Sequence, residues 1–83
     1  MTVRFHPHAL ERMAERGASK LEVEAVIAEG EKFSAKFARQ GFRQSFTFAA
    51  EWKGNWYANK QIDVFAVWEN QGWLVITVIT RYF

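Results

Sequence analysis

The chain has 83 residues and a net charge of +2 at pH 7; 49% of its residues are hydrophobic, and it holds 4 Trp, 2 Tyr and 8 Phe but no Cys. That apolar content excludes an intrinsically disordered chain, and the lack of cysteine excludes disulfides and thiolate metal centres, so a domain near the lower size limit for a self-sufficient core must be held by packing. No apolar run nears the roughly 20 residues of a membrane-spanning helix and the N-terminus has no signal-peptide core, so the chain reads as one soluble, cytoplasmic domain over residues 1–83 with no membrane partner.

The charge is unevenly placed. Residues 1–30 and 61–83 are each net −1, whereas residues 31–60 set Lys32, Lys36, Arg39, Arg43, Lys53 and Lys60 against Glu31 and Glu51, net +4. A basic middle third interleaved with Trp52, Trp56 and Tyr57 fits a nucleic-acid footprint, with cations on phosphates and rings on bases. The plainer alternative is a solvated basic face. Within this stretch Arg39, Arg43, Lys53, Trp56 and Tyr57 are the candidate nucleic-acid contacts.

Residues 2–5 read as a short extended segment, and Pro7 holds His6 out of the α region and suits the first position of a helix. The first helix runs to about Arg16 in "HPHALERMAERG". At about 100° per residue, Ala9, Leu10, Met13, Ala14 and Gly17 form an apolar stripe, Glu11 and Glu15 lie on one flank, and His8, Arg12 and Arg16 share the other. Like charges at i and i+4 repel, so Arg12 above Arg16 calls for an anion opposite them. Gly17 supplies the left-handed stop, and "SKLE" at 19–22 is a capping box that opens a second helix ended by Gly30. Apolar residues surround much of that helix, which predicts cover on more than one side.

After Gly30 the hydrophobic period changes from about 3.6 to 2. Phe33, Ala35 and Phe37 alternate with polar neighbours, "ARQG" makes a turn, and Phe42, Phe46 and Phe48 alternate again, giving two antiparallel strands. "KGN" at 53–55 breaks the pattern, a third strand covers 61–68, "ENQG" turns, and the near-continuous apolar run 73–80 reads as the fourth and central strand. The expected fold is α+β, with two N-terminal helices packed on a four-stranded antiparallel sheet.

His8 has the proton affinity suited to acid–base work near neutrality, with a carbonyl or Glu11 as its structural partner in the alternative reading. Arg12 and Arg16 suit phosphate oxygens through their planar forks; alternatively they bridge to Glu15 and to a strand carboxylate such as Asp63. Lys60 adds a cation at a strand start, or is simply solvated. Gly54 and Asn55 shape a turn, since no phosphate-loop pattern follows them. Two histidines alone make no metal set, and no cofactor motif is present.

The stretch "HALERMAERGASKLEV", residues 8–23, together with "NKQIDVFAVWENQGWLVITVITRYF", residues 59–83, resembles a small prokaryotic domain-of-unknown-function family with an H-A-x-x-R-M-x-x-R-G helix signature. That family is similar to the RelE/ParE-like toxins and to the wider fold of barnase-like, EndoU-like and colicin-type ribonucleases. Ala18 departs from the pattern, standing where the family usually has a larger apolar residue. The resemblance implies a metal-independent ribonuclease of a toxin–antitoxin type, acting on RNA by 2′-hydroxyl attack on the phosphodiester and blocked by an antitoxin or immunity protein. His8, Arg12, Arg16 and Lys60 match its polar positions and are the candidate catalytic residues, with His6 or Tyr82 as the second proton-transfer group. The rival expectation is a non-catalytic binding module whose basic face meets nucleic acid or an acidic partner protein.

Overall fold

A computed structural model describes residues 2–83. The elements are β1 (Thr2–Phe5), α1 (Pro7–Arg16), α2 (Lys20–Glu29), β2 (Glu31–Ser34), β3 (Gln40–Trp52), β4 (Asn55–Glu69) and β5 (Gly72–Tyr82). They build an α+β domain with one five-stranded sheet in the order β1-β5-β4-β3-β2. The sheet is mixed, and this corrects the expected four antiparallel strands: residues 2–5 pair in parallel with β5, Thr2 beside Gly72 and Phe5 beside Val75. Four residues are too few to display a period of 2, and their partner lies some 70 residues away, so nothing local marked them as a strand.

The central strand is β4, another correction. Fifteen residues long, it pairs with β3 and β5 along most of its length. Asp63 had broken its apolar run, which made 73–80 look the more buried. β5 is flanked on both sides only over 72–75, where β1 ends. Beyond that point its outer edge is met by Arg16 and by the carbonyl at the end of α1. β2 stops at Ser34, short of the expected alternation through Phe37.

Local signals fixed the helices. His6 is the N-cap of α1 and its Nδ1 accepts the His8 N–H at 3.1 Å. Ser19 and Glu22 form the reciprocal capping box, each accepting from the other's backbone at 3.0–3.1 Å. The Lys53–Gly54 and Asn70–Gln71 pairs both have positive φ, the two-residue hairpin geometry that matches strand twist.

Both helices lie on one face of the sheet. Ala9 and Met13 from α1 and Val23, Val26 and Ile27 from α2 join Phe42, Ile62, Val64, Val75 and Val78 in a single buried cluster. Phe42, Val64 and Val78 are cross-strand partners, so they share that face. The remainder of α2 is not covered as expected: Leu21 is 80% exposed, and only the Val23, Val26 and Ile27 stripe is buried. No described helix is long and apolar enough to cross a membrane. Replacing Ser19 with Ala removes one arm of the capping box; the expected cost is about 1 kcal/mol, or about 4–8 °C in melting temperature for a domain of this size, read by thermal denaturation.

Candidate functional site

Polar residues of the two helices and the last two strands meet where α1 ends. Gly17 takes φ 76° there, and a Cβ on it would overlap the Tyr82 hydroxyl and the Trp52 ring, so both the turn and the close approach need glycine. The Arg16 carbonyl accepts from Tyr82 OH at 2.7 Å and from Thr80 Oγ1 at 3.0 Å. Lys60, 4% exposed, donates to the Gly17 carbonyl at 2.6 Å and pairs with Glu22 at 2.9 Å. Its ammonium lies within 5.6 Å of the Phe48 ring centre and 6.0 Å of the Tyr82 ring centre. Arg16 sends its own guanidinium to the Val78 carbonyl at 2.6 Å. This knot ties α1, α2, β4 and β5 together, and every polar head in it points at a protein partner.

Burial works to raise the Glu22 carboxyl, but the hydrogen bonds from Ser19 and the Lys60 ammonium outweigh it and hold the group below its ordinary 4.5. Burial, then the Glu22 charge, pushes the Tyr82 phenol up, so it keeps its proton across neutral pH.

The stripe of His8, Arg12 and Arg16 therefore divides. Arg16 turns inward, whereas His8 is exposed and Arg12 makes a surface pair with Glu15 at 3.0 Å. His6 and His8, both exposed, stand edge to face with ring centres 6.5 Å apart. Among the described residues no three His, Asp or Glu side chains gather as a metal set.

No described helix covers the opposite face of the sheet, where the sequence offers Arg39 and Arg43 as nucleic-acid contacts and Asp63 only as a partner for Arg16, which instead turns to Val78 on the other side. Asp63 projects onto the uncovered face and is only 2% exposed, because Arg43 grips both of its oxygens, at 2.8 and 2.9 Å, while Gln61 and Arg81 approach at 3.3 and 3.5 Å. The Arg43 guanidinium also lies 4.7 Å from the Phe33 ring centre. Phe33 crosses Gly41 to meet Phe65 edge-on at 5.7 Å; a Cβ on Gly41 would collide with the Phe33 ring, so glycine at that strand position makes the crossing possible. Beside this contact lies a groove of ≈ 380 Å³, floored by Phe65, Thr77 and Ile79 and walled by Phe33, Phe37 and Arg39. Phe37 is 81% exposed and, with Ala38, holds a left-handed backbone that costs non-glycine residues on the order of 1 kcal/mol each. A charged residue inside the apolar run "IDVFAVW" was the available signal, since a buried carboxylate requires cations opposite it.

Of the expected nucleic-acid contacts, Arg39 and Arg43 lie on this open face. Lys53, Trp56 and Tyr57 lie apart at the β3–β4 hairpin. Trp56 is exposed there, Lys53 sits 5.4 Å over the Trp52 ring, and Tyr57 leans on Tyr82 with ring centres 5.5 Å apart.

The family model described as a domain of unknown function, DUF4258, matches residues 5–80. Neither a curated protein nor a solved structure matches the chain.

Removing a partner from a fully buried pair costs about 3–5 kcal/mol, and since Glu22 keeps 30% of its side chain exposed, Lys60→Ala is expected to lose up to that order of stability in denaturant titration. The lowered Glu22 carboxyl sets a pH window. A depressed folded value adds stability that is fully present above the ordinary 4.5 and is lost as pH falls through the folded value. Melting temperature followed from pH 7 down to acid should drop in that window, and Glu22→Gln should flatten the drop while lowering stability at pH 7.

Proposed function

Starting from a chain that belongs to the DUF4258 family, we propose that this domain is a binding module for RNA and that the RNA lies across the sheet face left open by the helices. The observation that carries this reading is the meeting, on one solvent-facing surface, of an aromatic groove with the guanidinium groups of Arg39, Arg43 and Arg81. Guanidinium forks suit phosphate oxygens, and aromatic side chains on a sheet suit unstacked bases. RNA as the polymer is also what the likeness to RelE/ParE-like toxins and their ribonuclease relatives implies.

That likeness implies cleavage too, with His8, Arg12, Arg16 and Lys60 at the reacting phosphate. Two of those four have other work: Lys60 is neutralised by Glu22 under the Tyr82 ring, and Arg16 caps the edge of β5. Either would have to abandon a protein partner inside the fold to touch RNA, which favours binding over catalysis.

One observation favours a second reading, cleavage at the start of α1. His6 and His8 stand close enough to serve one phosphodiester, and the exposed Arg12–Glu15 pair is weak enough to be given up to an anion. In that reaction the 2′-oxygen bonds to phosphorus as one imidazole takes its proton. The 5′-oxygen leaves with a proton from the other, yielding a 2′,3′-cyclic phosphate and a 5′-hydroxyl. Tyr82 fits the second role poorly, since its hydroxyl is committed to the Arg16 carbonyl.

Fluorescence anisotropy with a mixed-sequence RNA, repeated at stepwise salt, tests the proposal. Affinity should fall with a log–log slope of about −0.7 for each phosphate neutralised, and Arg39→Ala should weaken binding and flatten that slope by about one such unit. The same RNA incubated without metal should keep its ends. Metal-independent appearance of cyclic phosphate, lowered at least about 10²-fold in His8→Ala, would replace the binding reading with the catalytic one. Salt-insensitive or absent RNA binding, with tight binding of an acidic peptide instead, would assign the face to a partner protein such as an antitoxin.

A further inference from the structure

Resting on the RNA reading above, we infer that the open face takes single-stranded RNA one nucleotide at a time: an unstacked base enters the Phe33/Phe37/Phe65 groove while its phosphate sits on the Arg43–Asp63–Arg81 triad. The two features are built as one site. Asp63 is the direct cross-strand partner of Ile79, which floors the groove, and Arg43 covers Phe33, which walls it. Along β4, Asp63 and Phe65 are two residues apart on the same face, about 6.7 Å of strand. That is of the order of the distance from a base to its own phosphate.

The triad has the charge and the free donors for a phosphodiester. Two guanidinium groups on one carboxylate leave a net +1, which Glu31 opposite Arg43 offsets, and Lys36 and Arg39 of the groove lining restore a positive surface for a backbone phosphate. Asp63 takes Nε and Nη2 of Arg43 and leaves Nη1 free. Arg81, 58% exposed by side chain and 3.5 Å from the carboxylate, keeps most of its five donors. Glu31 is the cross-strand partner of Arg43 on β2 and is exposed, so an incoming anion is drawn to the Arg81 side of the triad. Asp63 is thus a positioning residue: it never touches RNA, but it holds two cations at a fixed spacing.

The groove has the size and lining for a base. At ≈ 380 Å³ it is large enough for a single planar ring system and lies at the small end of the usual range for ligand sites. The left-handed backbone at Phe37 and Ala38 keeps one aromatic ring unburied at its mouth. Thr77, the cross-strand partner of Phe65 on the open face, offers a hydroxyl in the lining, a partner for a ribose 2′-OH that DNA lacks. Bases inside a duplex cannot enter such a groove, so the site selects single strands.

The test is anisotropy with a short mixed-sequence single-stranded RNA, the same sequence as a duplex, and the same sequence as single-stranded DNA. The inference expects the single-stranded RNA to bind at least about 10-fold more tightly than the duplex and more tightly than the DNA. Phe37→Ala should weaken single-strand binding on the order of 10-fold, with melting temperature unchanged and duplex binding little affected. Asp63→Asn gives opposite signs for the two accounts. If the face attracts RNA by charge alone, removing a carboxylate tightens binding; if Asp63 positions the arginines, single-strand binding weakens and the preference over duplex shrinks. Arg81→Ala, whose exposed head leaves folding intact, should weaken single-strand binding more than duplex binding; an equal loss on both would mean that Arg81 acts by charge alone and would overturn the triad as a phosphate seat beside the base groove. Equal affinity for single strand and duplex, untouched by Phe37→Ala, would overturn base insertion and leave RNA binding standing. No RNA binding at all would overturn both.

Discussion

The ammonium group of Lys60 is buried at the one place where the end of α1, the start of α2 and the sheet come within reach of each other. It holds the Gly17 carbonyl and the Glu22 carboxylate at once, so the α1–α2 turn is fixed to β4 by a single side chain. The same turn has to be glycine, and the same Glu22 completes the capping box of α2. Removing the lysine would leave a partly buried carbonyl and a partly buried carboxylate without their donor, and would take away the cation over the Tyr82 and Phe48 rings. The positions of the helices on the sheet follow from this contact together with the apolar cluster beneath it.

An internal cation of this kind also decides where chemistry has room. A sequence motif made of histidine, arginines and a strand lysine reads as one polar site. In three dimensions it supplies a structural knot, Arg16, Lys60 and Tyr82, and a separate exposed pair of histidines with Arg12. A further set of groups with unspent hydrogen-bonding capacity is on the other side of the sheet. There Arg43 and Arg81 share one carboxylate, and an aromatic groove opens beside them.

Much of the fold could be read from the sequence because its signals are local. Pro7, Gly17, the Ser19–Glu22 box and the two-residue hairpins at Lys53–Gly54 and Asn70–Gln71 each act within a few residues, and the change of hydrophobic period after Gly30 marks where helices give way to strands. What escaped was non-local. β1 is a strand only because β5 lies alongside it, and β4 is central although a charge interrupts its apolar run. The candidate site was less legible for the same reason. His8, Arg12 and Arg16 do share a helix flank, but which of them faces a protein partner depends on β5. The groove exists only because Phe33, Phe65 and Ile79, from three different strands, are laid side by side across Gly41.

β4 carries both buried charges, and their spacing explains how a strand so apolar keeps its register. Lys60 shares a face with Ile62 and Val64 beneath the helices, while Asp63 alternates onto the open face with Gln61 and Phe65. A slip of one residue would exchange the faces. It would send Asp63 into the apolar cluster with no cation to meet it and pull Lys60 away from Gly17 and Glu22. Each stranded ion would cost several kcal/mol, a large part of what holds a domain of this size together. Hydrophobic residues alone would not penalise that slip so heavily, since Ile62, Val64 and Phe65 are apolar on either face. The two charges therefore fix which surface of the sheet is core and which is left to bind, and the open face gains its arginine spacing from the residue that keeps the strand in place.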